Sequence, residues 1–300
     1  MLPSNSRLLM GVCVAAFAVL AARIPARGQA RTPDGQPDIH GMYSRNGVVG
    51  LEANPPENPI DPSERNPLSV SARADGLGPY PKIFQQGGSL IRDKGGRAQR
   101  RTGIVDPADR NLPWRPDEDV KRRDFLLHMN PPVDLQHVEL NARCALPGLF
   151  QGEDGNNPYQ FLQRSGEVVI LYDYNHTSRV IHLDRRPHLG KNIRLFMGDS
   201  IGHWEGNTLV VDTTNFNDRT AYSREIPYLS DALHTVEHFT IADPNTIDYE
   251  VTIDDPTLFT RPWKVAGYFA RSPANTESIE FACAEGSQTL VNIFGRPPEH

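Results

Sequence analysis

The amino-acid sequence predicts a mainly β protein: an antiparallel barrel or sandwich, preceded by a Pro/Gly-rich extension that holds one short helix. Three observations lead there. From Asn141 onward, eight short segments alternate apolar and polar residues with period two. Turn-forming clusters separate them: "RSGE", "HTS", "EGN", "DPNT", "DDP" and "RSPANT". The strand–helix alternation that a parallel sheet requires is missing, which argues against an α/β hydrolase.

The first element reads as an export leader. Arg7 supplies positive charge, "LLMGVCVAAFAVLAA" is an apolar run of about 15 residues, and Gly28-Gln29-Ala30 places small residues before Arg31. A membrane span needs roughly 20 apolar residues, so residues 1–30 are expected to be cleaved. The mature chain would then have no span and a periplasmic or secreted address. Cys13 lies inside the apolar run rather than after it, which is wrong for a lipid anchor.

Residues 31–132 are crowded with Pro and Gly, as in "EANPPENPIDPSERNP" and "GLGPYPKIFQQGG". Such stretches break regular ladders, so this segment is expected to wrap a neighbouring core rather than fold alone. One helix is predicted within it, "RPDEDVKRRDFLLHM". Pro116 and acidic residues start it, Val120, Phe125, Leu126 and Leu127 are its apolar positions, and "NPP" stops it.

Residues 133–300 are the expected β domain. Its strands are "VVILYDY" (168–174), "RVIHLD" (179–184), "NIRLFM" (192–197), "TLVVDTTNF" (208–216), "LHTVEHFTIA" (233–242), "TIDYEVTI" (246–253), "WKVAGYFAR" (263–271) and "ESIEFAC" (277–283). With Asp243 to Thr246 as a hairpin turn, Ala242 faces Ile247 and His238 faces Val251. Val236, His238 and Thr240 then share an interior face with Ile247, Tyr249, Val251 and Ile253, and His234 points inward too.

A net charge of -6 spread over both signs, with "RAQRR" set among glycines, excludes a nucleic-acid surface. Beyond the leader only Cys144 and Cys283 remain. They form either two buried thiols or one disulfide closing a loop of about 140 residues, worth about 3–5 kcal/mol.

Three kinds of site are weighed. "FMGDS" and, 34 residues on, "DALH" resemble the Ser and Asp-x-x-His blocks of GDSL-type esterases. Here both lie in a β meander rather than a parallel sheet, so Asp199 and Ser200 read better as turn residues. A metal would draw on His182, His188, His203, His234 and His238, but His-x-x-x-His on a strand sets the rings roughly 13 Å apart. Neither a metal nor an organic cofactor is therefore expected. Acid–base chemistry needs only a His, an orienting carboxylate and a pocket. His234, His238, His203 and Asp212 are its candidate catalytic residues, with Asp199 as an alternative carboxylate. Trp204, Tyr249 and Trp263 are candidate ligand-binding residues for a small aromatic or apolar molecule.

"PDIHGMYSR" (37–45), "RCALPG" (143–148), "RVIHLDRRPH" (179–188), "MGDSIGHWEGNTLVVDTTNFNDRT" (197–220), "SDALHTVEHF" (230–239) and "YEVTIDDPTLFTRPW" (249–263) resemble the successive blocks of a large family of exported bacterial proteins. "GMY" stands where that family's pattern has Gly-x-Trp. The resemblance implies a single β-rich exported domain and transfers no catalytic residue. Gly-x-aromatic near the first strand also resembles lipocalin-type barrels. The expected function is an exported hydrolase or lyase acting on a small molecule. The alternatives are a non-catalytic periplasmic binding protein and, third, a metal-dependent hydrolase.

Overall fold

The computed structural model describes residues 30–45, 104–129, 132–138, 158–173, 177–222 and 226–278. The expected leader, Cys144, Cys283 and most of the expected strand at 277–283 lie outside them. Among the described residues no helix is long and apolar enough to cross a membrane.

Nine strands close into a barrel. They are β1 (Gly41–Arg45), β3 (Pro158–Arg164), β4 (Glu167–Tyr172), β5 (Thr177–His182), β6 (Asp199–Glu205), β7 (Thr208–Thr214), β8 (His234–Asp243), β9 (Thr246–Asp254) and β10 (Trp263–Arg271). Each pairs with the next, and β1 pairs back to β10 through Tyr43↔Arg271. A short β2 (Ile104–Asp106) takes the rest of the β10 edge, at Lys264 and Val265. The Pro/Gly-rich extension thus supplies the strand that closes the ring, and the composition break near residue 132 does not mark the barrel's limit.

A closed ring of nine strands cannot alternate direction all the way round, so one neighbouring pair must be parallel. That pair is β5–β6, joined at Ile181↔Ser200 and His182↔Ile201, while every other pairing is antiparallel. Antiparallel neighbours can be joined by tight hairpins, but a parallel pair needs a longer excursion. Residues 183–198 make that excursion. The expected strand at 192–197 is part of it and makes only a single bridge, Leu195↔Phe216.

β8 corrects the hairpin register. Ile241 faces Ile247 and Asp243 faces Thr246, leaving Ala242 as an extra residue, so His238 sits opposite Glu250. A one-residue slip turns every side chain of a strand to the other face. Thr235, Glu237, Phe239 and Ile241 are therefore the buried set, and His234 and His238 lie on the outer face. The β9 face is as expected: Ile247, Tyr249, Val251 and Ile253 are buried. Burying Phe239 and Ile241 in place of Val236 and Thr240 removes more apolar surface from water, which favours the bulged register.

The core is aromatic. Phe161, Phe239, Phe269 and Tyr249 meet with ring centroids 4.9 to 6.0 Å apart. A second stack runs Trp114–Phe259–Trp263–Tyr222 at 4.7, 5.5 and 5.7 Å. It ties the barrel to the helix α1 (Pro116–His128), which starts at Pro116 with Asp117, Glu118 and Asp119 in its first turn. The buried residues of α1 are Glu118 and Arg122, whereas Val120 is 67% exposed. The reason is what the helix faces: Arg122 lies 5.2 Å over the Trp114 ring, and Tyr228 donates to Glu118 Oε2 at 3.3 Å.

Candidate functional site

The excursion between β5 and β6 folds back against the outer wall and carries His188 to β7. Glycine at 198 permits this. Its φ is +65°, and a Cβ there would meet Thr213 Cγ2 at 2.6 Å and the Thr214 carbonyl at 2.7 Å. The next residue, Asp199, is the anchor. It accepts from the Leu189 backbone N–H at 2.9 Å, from His188 Nδ1 at 3.0 Å and from both terminal nitrogens of Arg186. Burial raises the Asp199 pKa, but Arg186, Leu189 and His188 together outweigh it and bring it down to about 2.

Asn215 fastens the same loop from the other side. Its φ is 61°, a left-handed conformation that asparagine tolerates. Its side-chain amide donates to the carbonyls of Leu189, Gly190 and Ile193 at 3.2, 3.0 and 2.9 Å. Arg194 donates to the Asp231 carbonyl at 2.7 Å, linking the loop to the segment that leads into His234.

These ties bring two histidines to one carboxylate. His188 Nε2 lies 2.8 Å from Asp212 Oδ1, and His234 Nε2 lies 2.8 Å from Asp212 Oδ2. The chain Asp199–His188–Asp212–His234 thus runs across β6, β7 and β8. The His234 hydrogen bond holds the Asp212 pKa below the usual carboxylate range, and His188 adds to it. The Asp212 hydrogen bond raises the His234 pKa, with smaller help from the charges of Asp212 and Asp254. Nδ1 of His234 has no hydrogen-bond partner among the described residues, and the side chain is 40% exposed. A carboxylate-oriented imidazole with one nitrogen open to solvent can take up and deliver a proton.

The predicted site residues separate into two groups. Asp212, His234, His238 and His203 all lie on the outer face, but only Asp212 and His234 bond to each other. His203 and His238 share one outward row with Val210, and His203 pairs with Glu205 at 2.8 Å. Trp204, Tyr249 and Trp263 are on the other side of the wall. Tyr249 donates to Glu237 Oε1 at 2.9 Å, Trp204 packs on the core, and Trp263 is fully buried beside Phe259. The expected single pocket does not form, because the β8 register turns the histidines out while the aromatics stay in. The sequence does not single out Arg186 and offers His188 only as a metal ligand, because loop residues reach the site through a long excursion. The available signal was the neighbouring "RRPH", "GDS" and "VVDTTN" blocks.

The interior holds a second polar cluster. Arg179 donates through Nε to Ser200 at 2.9 Å, through Nη2 to Thr213 at 2.8 Å, and through both terminal nitrogens to Glu237. Burial lowers the Arg179 pKa, but the Glu237 charge, Tyr172 and the Glu237 hydrogen bond together overcome this and the net shift is upward. Ser200 therefore sits inside the barrel on an arginine, with no general base against it, which removes the nucleophile reading.

No known family profile and no curated protein matches this chain. A crystal structure of an asparagine-to-alanine mutant of the fluorescent protein UnaG aligns with 13% identity over 41% of this chain and 79% of that one, with a TM-score of 0.24. The barrel assignment rests on the strand pairings themselves. The fold and site together define a closed nine-stranded β-barrel with a His–Asp–His hydrogen-bonded chain on its outer wall.

Proposed function

We propose that the protein is an exported acid–base enzyme, a hydrolase or lyase, that acts on a small apolar or aromatic molecule at the outer wall rather than inside the barrel. The observation that carries this is Asp212 bridging His188 and His234 with the second nitrogen of His234 open. His234 is the proton-transfer residue, Asp212 orients it, and His188 with Asp199 fixes Asp212. Ile193 and Leu195, 47% and 39% exposed on the excursion loop, give an apolar ledge for the substrate. Export is read from the leader, and the family resemblance of the central block agrees with it.

The test is turnover of a panel of aromatic esters and eliminable aryl ethers by the purified chain. His234→Gln is expected to lower kcat/KM by about 10²–10⁴-fold on any substrate turned over, with His203→Gln unchanged. Equal activity in wild type and His234→Gln would end the assignment.

A second reading, non-catalytic binding inside the barrel, is favoured by one observation. The inward Trp204 Nε1, Trp263 Nε1 and Thr235 Oγ1 have no hydrogen-bond partner among the described residues. An internal ligand would quench tryptophan fluorescence saturably, and Trp204→Phe would reduce that response.

A further inference from the structure

We infer that Asp124, His128 and His137 form a divalent-cation site, best suited to Zn2+, where the end of α1 meets the turn that follows it. This site is separate from the His–Asp–His chain on the barrel wall and does not depend on it. Asp124 and His128 are four apart on α1, so they share one helix face. The short 3-10 turn Leu135–His137 returns His137 to that face. Their donor atoms all lie within 4.8 Å of one another.

The spacing is close to what a metal would impose. His128 Nδ1 is 3.0 Å from Asp124 Oδ1, and His137 Nε2 is 3.3 Å from Asp124 Oδ2. Two ligands of a tetrahedral zinc, each bonded at 2.0–2.2 Å, stand about 3.4 Å apart. With the donor atoms spread over at most 4.8 Å, side-chain rotations that draw them together by about an ångström would seat the ion between the carboxylate and the two rings. His128 Nδ1 also lies 3.0 Å from the Asp124 carbonyl, so binding exchanges that contact for a metal bond.

The support around His137 is of the kind metal sites use. The ring is buried, 6% exposed, and its far nitrogen Nδ1 lies 2.8 Å from Asp134 Oδ1, near enough for an ion pair though off the line of a well-directed hydrogen bond. The Asp134 charge beside Nδ1 favours the tautomer that carries its proton there and leaves Nε2, which faces Asp124, to ligate. Phe125 stacks beside the ring at 6.3 Å and screens one side. Asp124 is exposed and His128 partly so, which gives the ion an entry path. Two imidazoles and a carboxylate suit zinc better than magnesium or calcium, and three protein donors leave a fourth position for water.

The experiment titrates Zn2+ into the purified, metal-stripped full chain by calorimetry, with Mg2+ as the comparison ion. One Zn2+ per chain is expected, with Mg2+ at least a hundredfold weaker. His128→Gln and Asp124→Asn, at a partly exposed and an exposed position, should each weaken Zn2+ binding at least tenfold with circular dichroism unchanged. Asp134→Asn should weaken it about tenfold through His137, and His234→Gln should leave it as in wild type. In wild type, Co2+ should give the visible bands of a tetrahedral site, and Zn2+ should displace them. Absence of saturable Zn2+ binding to wild type, or wild-type affinity in both His128→Gln and Asp124→Asn, would overturn the site.

Discussion

His234 approaches Asp212 through Nε2 at 2.8 Å and so keeps Nδ1 turned away from the carboxylate. The two pKa values move in opposite directions, down for Asp212 and up for His234. A raised histidine stabilises the fold fully below its unfolded value and loses that contribution as pH rises through the folded one. A lowered carboxylate stabilises above its unfolded value and loses it as pH falls. The pair therefore contributes most between roughly pH 4 and 6.5. With both side chains about 40% exposed, the contribution is expected to be about 1 kcal/mol or less. Asp212→Asn should lower urea stability by that amount near pH 5.5, by clearly less at pH 9 where the histidine part is lost, and return the His234 titration toward the ordinary range by NMR. A stability difference that persists unchanged at pH 9 would contradict the pairing.

Asp199 makes a larger and more acidic prediction. Its pKa falls from 3.8 to about 2 and its side chain is buried, so the carboxylate contributes about 2 kcal/mol above pH 4. That contribution is lost as pH falls from about 4 to 2. Because its partners are Arg186, His188 and the Leu189 backbone, the excursion loop should release before the barrel unfolds. Amide hydrogen exchange at pH 3 against pH 5 should show the Leu189 amide losing protection while the strand amides of β7 and β9 keep theirs. In Asp199→Asn the same loss should already be present at pH 5.

Asn215 separates backbone conformation from side-chain tethering. Asn215→Gly keeps the left-handed φ without strain but removes the three amide contacts to Leu189, Gly190 and Ile193. It should lower stability by about 1–3 kcal/mol and, on any substrate the protein turns over, lower activity about tenfold, because His188 then no longer holds Asp212. Asn215→Ala adds the positive-φ penalty and should lower stability by about 1 kcal/mol more. If Asn215→Gly were as active as wild type, the loop would need no such clamp.

The barrel was legible where strands follow period two. β10 is read at its observed limits, and β7 and β9 within two residues, because their buried positions carry apolar residues: Leu209, Val210 and Val211 in a run, and Ile247, Tyr249, Val251 and Ile253 in strict alternation. β3 and β6 were not legible. β3 begins at Pro158 and carries Gln160 and Gln163, and of the inward positions of β6, Ser200 and Gly202 carry no apolar signal, leaving Trp204 alone to mark that face. β1 hid in a segment whose composition says loop. The site was half legible: Asp212 and His234 came from residue type alone, but their neighbours depend on one bulge at Ala242 and one excursion loop. Single-residue register and long loop paths leave no periodicity to read.

Arg179 and Glu237 test what the buried pair does for the fold. Both are 2% exposed and bonded to each other, and their remaining hydrogen-bonding capacity is met by Ser200, Thr213 and Tyr249. Removing one partner strands the other charge in the core, so Arg179→Met and Glu237→Leu should each cost about 3–5 kcal/mol. The double variant removes both charges together. It should recover most of that loss, falling short by about 1–3 kcal/mol because Tyr249, Ser200 and Thr213 lose polar partners. The checking measurement is a double-mutant cycle by urea denaturation at pH 7. Additive losses would show that the two side chains do not interact. A double variant as stable as wild type would show that the pair serves the barrel's specificity, or a ligand within it, rather than its stability.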